Sequence, residues 1–258
     1  MIQPLPNNNV MTGANYFFQG VRLLWHPKLR AYILVPLLVN IVLFIVLTSA
    51  LISYLGMFTH GLSFDVADWL KPAVDFFLAL LGIVLVVLVL IIYAYSFNII
   101  TNIIAAPFYG LLAEKAEELL TGEPLEGEAI GSMVPRVFKR EIKKLLYFIM
   151  RGLLIMLIML LISLVIPVVG GLAALAIGLS WNVWCMTIQY ADYPADNHRC
   201  SFTRTRKKLW NSRYSSFGFG GMITVCSIIP IVNIFAMPAA VTGGTLYWLN
   251  ELKECDSQ

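Results

Sequence analysis

Charge is scarce in this chain. Only 13% of its 258 residues are Asp, Glu, Lys or Arg, about half the share of an ordinary soluble domain. Hydrophobic residues make up 59%, for a mean hydropathy of +0.78, so the chain cannot cover itself with polar surface. Reactive signatures are missing as well. There is no Gly-Lys dipeptide and hence no Walker A loop, no H-E-x-x-H and no G-x-S-x-G, which disfavours ATP hydrolysis and common hydrolase chemistry. The histidines, His26, His60 and His198, stand apart from one another. Cys185, Cys200, Cys226 and Cys255 form no C-x-x-C pair and read as small apolar residues or free thiols. No metal and no cofactor is expected. Nearly all of the eighteen Lys and Arg behind the formal net charge of +3 fall in three segments, and nucleic acid is not an expected partner.

What the chain has instead is long uncharged runs. Residues 31–55 carry no charge and at 1.5 Å per residue cover the roughly 30 Å hydrocarbon core, so they predict a first span. That run is too long for the core of a signal peptide. Phe76 to Ala113 is uncharged over 38 residues, about 57 Å as one straight helix, and cannot all lie in lipid. A second span is therefore expected within 73–113, with a break near Pro107, where Asn98 and Asn102 make the run more polar. Gly152 to Ala191 and Gly218 to Asn250 are the other uncharged stretches.

Two of these runs share an interruption. Ser163 to Gly170 reads SLVIPVVG and Cys226 to Asn233 reads CSIIPIVN, each with Ile-Pro followed by two apolar residues. We read a weak repeat of two helical hairpins, within 134–191 and 201–250. The arm before the second Ile-Pro is only about a dozen residues, roughly 20 Å of helix, so hairpins that cross the bilayer only partway are expected. The predicted class is an all-α integral membrane protein, a single membrane domain over 1–258 with two long transmembrane helices and two such hairpins; a conventional six-span bundle is the alternative.

Orientation follows from the cations. They cluster at 22–30, 115–151 and 199–213, and the positive-inside rule puts all three on the cytoplasmic side. The short acidic connection with His60, Asp65, Asp68 and Asp75 then lies outside. In the middle cluster, Pro135 suits a helix start, and Arg136, Lys139, Arg140, Lys143 and Lys144 recur at helical spacing opposite Val137, Ile142 and Leu145. That face can lie along anionic lipid headgroups or be plainly solvated. Trp181, Trp184, Trp210 and Trp248, near the ends of apolar runs, fit an interfacial belt.

The segment Ala105 to Glu114, AAPFYGLLAE, predicts a helix beginning at the proline and glycine. Unpaired N–H groups of a first helical turn, with the helix dipole, offer directed donors to an oxyanion such as sulfate. Asp192, Asp196, Asn197 and His198 in DYPADNH read as turn and interface capping in preference to a metal site.

These residues resemble a known family. PLLVN (Pro36 to Asn40), AAPFYGLLAE (Ala105 to Glu114), VPRVFKRE (Val134 to Glu141), QYADYPADNH (Gln189 to His198) and IIPIVNIFAMPAAV (Ile228 to Val241) occur in order and resemble the CysZ sulfate permeases of bacterial inner membranes, over nearly the whole chain. The resemblance implies sulfate uptake for cysteine synthesis by a multi-pass homo-oligomer in the inner membrane. It places the sulfate site at Gly110, Leu111, Leu112, Ala113 and Glu114 with Arg30. Family members often carry two consecutive arginines near Arg30; here Ala31 follows, and Lys28 is the candidate second cation. Glu114, itself an anion, is assigned to helix stabilisation, an ion pair with Arg30, or proton coupling. A membrane-embedded enzyme and a non-transporting scaffold are the competing readings. Sulfate and membrane lipids are the expected partners, and the sequence leaves open whether protons drive the transport.

Overall fold

The computed structural model describes residues 8–59, 70–125 and 128–253. The connection carrying His60, Asp65 and Asp68, together with Glu126 and Cys255, lies outside the described residues. Among the described residues there are helices and no strand: α1 (Val10–Leu23), α2 (Pro27–Thr59), α3 (Lys71–Thr121), α4 (Ile130–Val165), α5 (Pro167–Asn197), α6 (Phe202–Asn211), α7 (Arg213–Ile228), α8 (Pro230–Tyr247) and a closing π-helical turn, Trp248–Leu252. By length and composition, Lys71–Tyr93, Gly131–Val165 and Val169–Asn197 are long and apolar enough to cross a membrane, and Ile41–Tyr54 is a shorter apolar helix. The chain is an all-α protein of membrane type.

It packs as two compact units. The smaller one is Leu37–Ala105, where the apolar parts of α2 and α3 pair. Thr48 Oγ1 and Tyr93 Oη lie 2.7 Å apart, and Phe44 meets Phe97 edge-on at 5.9 Å. Ile45, Val46, Ile83 and Val84 remain exposed, as expected of helices whose outer faces contact lipid tails.

The larger unit joins Met1–Pro36 to Ala106–Gln258. Its core forms where α1 crosses α7 and α8. The Asn9 side chain accepts from the Met11 amide and caps α1. Gly13, Tyr16, Phe17 and Gly20 then line one face of the helix and are buried. A Cβ on Gly13 would sit 1.9 Å from the Ser215 carbonyl oxygen, and one on Gly218 1.9 Å from that of Val10. The two backbones therefore touch through a glycine on each helix. Tyr16 stacks on Tyr247 at 5.3 Å, and Phe219 tilts against Tyr247 at 5.7 Å.

Helix α4 gives way to α5 at Ile166, and α7 to α8 at Ile229; both residues leave helical geometry, and Pro167 and Pro230 open the next helices. A proline fits there because the first helical residue has no use for its N–H.

Four expectations are corrected. Helix α3 does not break at Pro107 but runs through it to Thr121. Ala105, Ala106, Tyr109, Leu112, Ala113 and Ala116 form one buried stripe, and packing that stripe outweighs the roughly 3 kcal/mol cost of an internal proline. DYPADN is likewise helical, the last two turns of α5, with Pro194 inside. Cys200 is held in a disulfide bond, whereas Cys185 and Cys226 are free; four scattered cysteines give no spacing from which to read a pair. Trp248 is fully buried and stacked on His198 at 5.6 Å, so it is a core residue and no part of an interfacial belt.

Candidate functional site

The densest polar construction in the described residues is the buried contact between α4 and α5. Arg136, Arg140 and Lys144 recur every four residues along α4, and Asp192 and Asp196 are four apart on α5, so each set forms a row along one face. The rows meet. Arg140 forks onto Asp192, with Nε to Oδ2 at 2.9 Å and Nη2 to Oδ1 at 2.5 Å, and it also donates to the Cys200 carbonyl at 2.7 Å and Thr205 Oγ1 at 3.2 Å. Arg136 donates to the carboxylate of Asp196, to its main-chain carbonyl at 2.9 Å, and to Glu128 Oε2 at 2.9 Å. Lys144 lies 2.5 Å from Glu141 and 3.7 Å from Asp192, with its ammonium 4.4 Å from the centre of the Tyr193 ring. The Lys144 and Asp192 side chains are each only 1% exposed.

This corrects the reading of the basic helix as one outward face. Three of its cations point inward, while Lys139 and Lys143 stay exposed. The three inward cations meet four carboxylates, those of Glu128, Glu141, Asp192 and Asp196, so no positive charge is left over there for an added dianion. DYPADNH is the other half of the same construction. Asp192 and Asp196 are held by arginines, Asn197 Nδ2 donates to the Gly110 carbonyl at 2.9 Å, and His198 Nε2 lies 2.9 Å from both oxygens of Glu117.

The residues proposed for sulfate stand as follows. Gly110, Leu111, Leu112, Ala113 and Glu114 lie deep inside α3, where each amide donates to the carbonyl four residues back. The first-turn N–H donors expected of Leu111 and Leu112 are therefore already used. Leu112 and Ala113 are fully buried, and a Cβ on Gly110 would come within 3.3 Å of the Met133 methyl, so the motif packs α3 against α4 and α5. Glu114 is part-buried and 3.8 Å from Lys115, which sits 2.7 Å from Glu118. The hydrogen bond and charge of Lys115 hold Glu118 below the usual carboxylate range, and Lys28 adds to that effect. Lys28, in the first turn of α2, is thus close enough to Glu118 to favour its ionised form. Lys28 and Arg30 are exposed in that turn on either side of buried Leu29, and Arg30 donates to the Trp25 carbonyl at 3.4 Å. The cations and the GLLAE turn thus share one compact unit, and the ion pair of Glu114 is with Lys115.

A family model described as Sulfate transporter CysZ/Etoposide-induced protein 2.4 matches residues 16–238. The chain belongs to this family. It is 36% identical over 250 residues to the sulfate transporter CysZ of Vibrio parahaemolyticus, covering 96% of this chain and 98% of that one. It is 41% identical over 251 residues to the sulfate transporter CysZ of Pseudomonas fluorescens, with 94% of each covered. The sulfate transporter CysZ of Salmonella typhimurium shares 38% over 242 residues, 93% of this chain and 92% of that protein.

Proposed function

We propose that this chain moves sulfate across a bacterial inner membrane and so feeds cysteine synthesis. It is a transporter and not an enzyme. The observation that carries the reading is the match over almost the whole chain to relatives named for that transport, in a protein whose helices are long and apolar enough to cross lipid.

The dianion binds at the first turn of α2, on Arg30 and Lys28. The two exposed cations are supported by the Glu114–Lys115–Glu118 turn beside them, and Gly110 to Ala113 act by packing α3 so that this turn is held in place. The saturated rows between α4 and α5 are the rigid frame. Several copies assemble, because α7 and α8, 16 and 18 residues long, reach about 24 and 27 Å, less than the roughly 30 Å core, and their tips need protein neighbours.

The test is uptake of labelled sulfate by the purified protein in liposomes, with and without a pH gradient, alongside equilibrium sulfate binding. Each charge-assisted bond contributes about 1.5–3 kcal/mol, so Arg30→Ala and Lys28→Ala should each weaken binding about tenfold or more. Uptake equal to empty liposomes under both conditions would instead favour a non-transporting scaffold. Unchanged affinity in Arg30→Ala, Lys28→Ala and Glu114→Gln would remove the site while leaving transport standing.

A further inference from the structure

A second cationic feature is built differently from both of these. Between α4, α5, α6 and α7 opens a groove of about 860 Å³, and Arg151, Arg206 and Lys207 stand on its wall. Among the described residues, no carboxylate lies within ion-pairing distance of any of the three. In the α4–α5 rows the cations are outnumbered by carboxylates; here they have none. Arg206 is pinned by stacking, its guanidinium 4.3 Å from the centre of the Tyr147 ring and 4.9 Å from that of Phe202, and its Nε is buried with no hydrogen-bond acceptor. A guanidinium stacked on its faces keeps its edge for a planar fork of bonds to an oxyanion.

The rest of the wall is aromatic and aliphatic. Trp184 donates through Nε1 to Tyr147 Oη at 3.3 Å and meets Trp210 edge-on at 5.7 Å. Farther along, Ile155, Ala176 and Ile177 line the same space. Polarity is graded. Thr203, Arg206 and Lys207 come from the strongly basic α6, while Arg151 is the last charge on α4 before fourteen uncharged residues. The groove thus runs from a cationic mouth, past tryptophans suited to the headgroup level, onto the flank of an apolar hairpin.

We propose that this groove holds an anionic phospholipid, its phosphate on Arg206, Lys207 and Arg151 and an acyl chain along Ile155, Ala176 and Ile177. Sulfate does not account for the shape: a compact tetrahedral oxyanion would leave most of 860 Å³ and the whole apolar end unfilled, whereas basic pockets at the membrane face recognise lipid headgroups, and apolar clefts with a few polar anchors suit molecules with an apolar body.

The tryptophans in the wall supply the readout. The full-length protein in phosphatidylcholine nanodiscs would be titrated with phosphatidylglycerol brominated on its acyl chains, and separately with phosphatidylcholine brominated in the same way. The expected result is stronger tryptophan quenching by the phosphatidylglycerol. In Arg206→Gln/Lys207→Gln that preference should fall by about fivefold per cation removed, while in Lys139→Gln/Lys143→Gln, which loses two exposed charges outside the groove, it should stay at the wild-type level. Equal quenching of the wild type by the two lipids would overturn the proposal. So would equal losses in the two double variants, which would mark a general surface attraction, or displacement of the phosphatidylglycerol by sulfate beyond that by chloride at matched ionic strength, which would mark an inorganic anion site.

Discussion

Asp192 is held by two cations of α4. Its two oxygens take the fork of Arg140 and face the ammonium of Lys144, and it is fully buried. Desolvating such charges offsets much of their attraction, so the pair adds little net stability, but deleting one member strands the other without a counter-charge at about 3–5 kcal/mol. Asp192→Asn should therefore lower the unfolding midpoint in detergent steeply, and Arg140→Leu/Asp192→Leu should recover much of the loss. A midpoint unmoved in Asp192→Asn would show the rows to be ornamental. The pairing was not legible in the sequence: helical spacing gave the row on α4 and the row on α5, but nothing in spacing says which rows meet across 52 residues of chain. The GLLAE amides were misread for a related reason, since a proline marks a helix start only when no packed stripe carries the helix through it.

Glu251 makes a prediction in pH. It accepts from Tyr16 Oη at 3.1 Å and Ser215 Oγ at 2.9 Å, tying α1 and α7 to the closing turn. Burial pushes its carboxyl above the ordinary 4.5, and the hydrogen bonds it accepts only partly oppose that. A carboxyl with a raised folded value holds more protons folded than unfolded, so its favourable contribution is present below 4.5 and is lost as pH rises through the folded value. Glu251→Gln has no proton to lose. The midpoint of the variant minus that of the wild type should increase as pH is raised from below 4.5 to neutral, and a flat difference would show that the group does not titrate there.

At the scale of elements, the uncharged runs and the two Ile-Pro sites were enough to anticipate helical hairpins turning at Ile166 and Ile229, because charge and proline act locally. Helix α1 was not anticipated: its first turns carry no long apolar run, and its signal is a pair of glycines seven apart, Gly13 and Gly20, which acquires meaning only against a second backbone. Helix α7 offers an internal comparison. A Cβ on Gly218 would lie 1.9 Å from the Val10 carbonyl oxygen, while one on Gly221 would meet nothing within 4 Å. Gly218→Ala should force α1 and α7 apart and cost about 1–3 kcal/mol. Gly221→Ala should be neutral or gain up to about 1 kcal/mol of helix propensity. Paired thermal melts decide the matter, and equal effects would show that the crossing is looser than the backbone contact implies.

For the whole molecule, depth in the bilayer decides what kind of transporter this is. Helices α4 and α5 are long enough to cross, but their charged and buried polar residues occupy the half nearer Arg136 and Asp192. A Cβ on Gly152 would be 3.5 Å from Trp181 Nε1, which sets those residues level with each other where the charge on α4 ends. From that level to the tip at Ile166 the α4 arm is 14 residues, about 21 Å of helix, short of the roughly 30 Å core. If all three basic clusters face the cytoplasm, the tip stops inside the lipid, and a path for sulfate must be completed by neighbouring copies. Single cysteines introduced at Val169 and Val232, exposed residues just past the two Ile-Pro sites, in a cysteine-free background should then be refractory to a membrane-impermeant maleimide added outside intact cells. Lys71→Cys, at the start of α3, should label from outside, and Lys143→Cys only after permeabilisation. Labelling of the Val169 and Val232 positions as fast as Lys71→Cys would mean that the hairpins cross completely, and the six-span bundle would replace the shallow one.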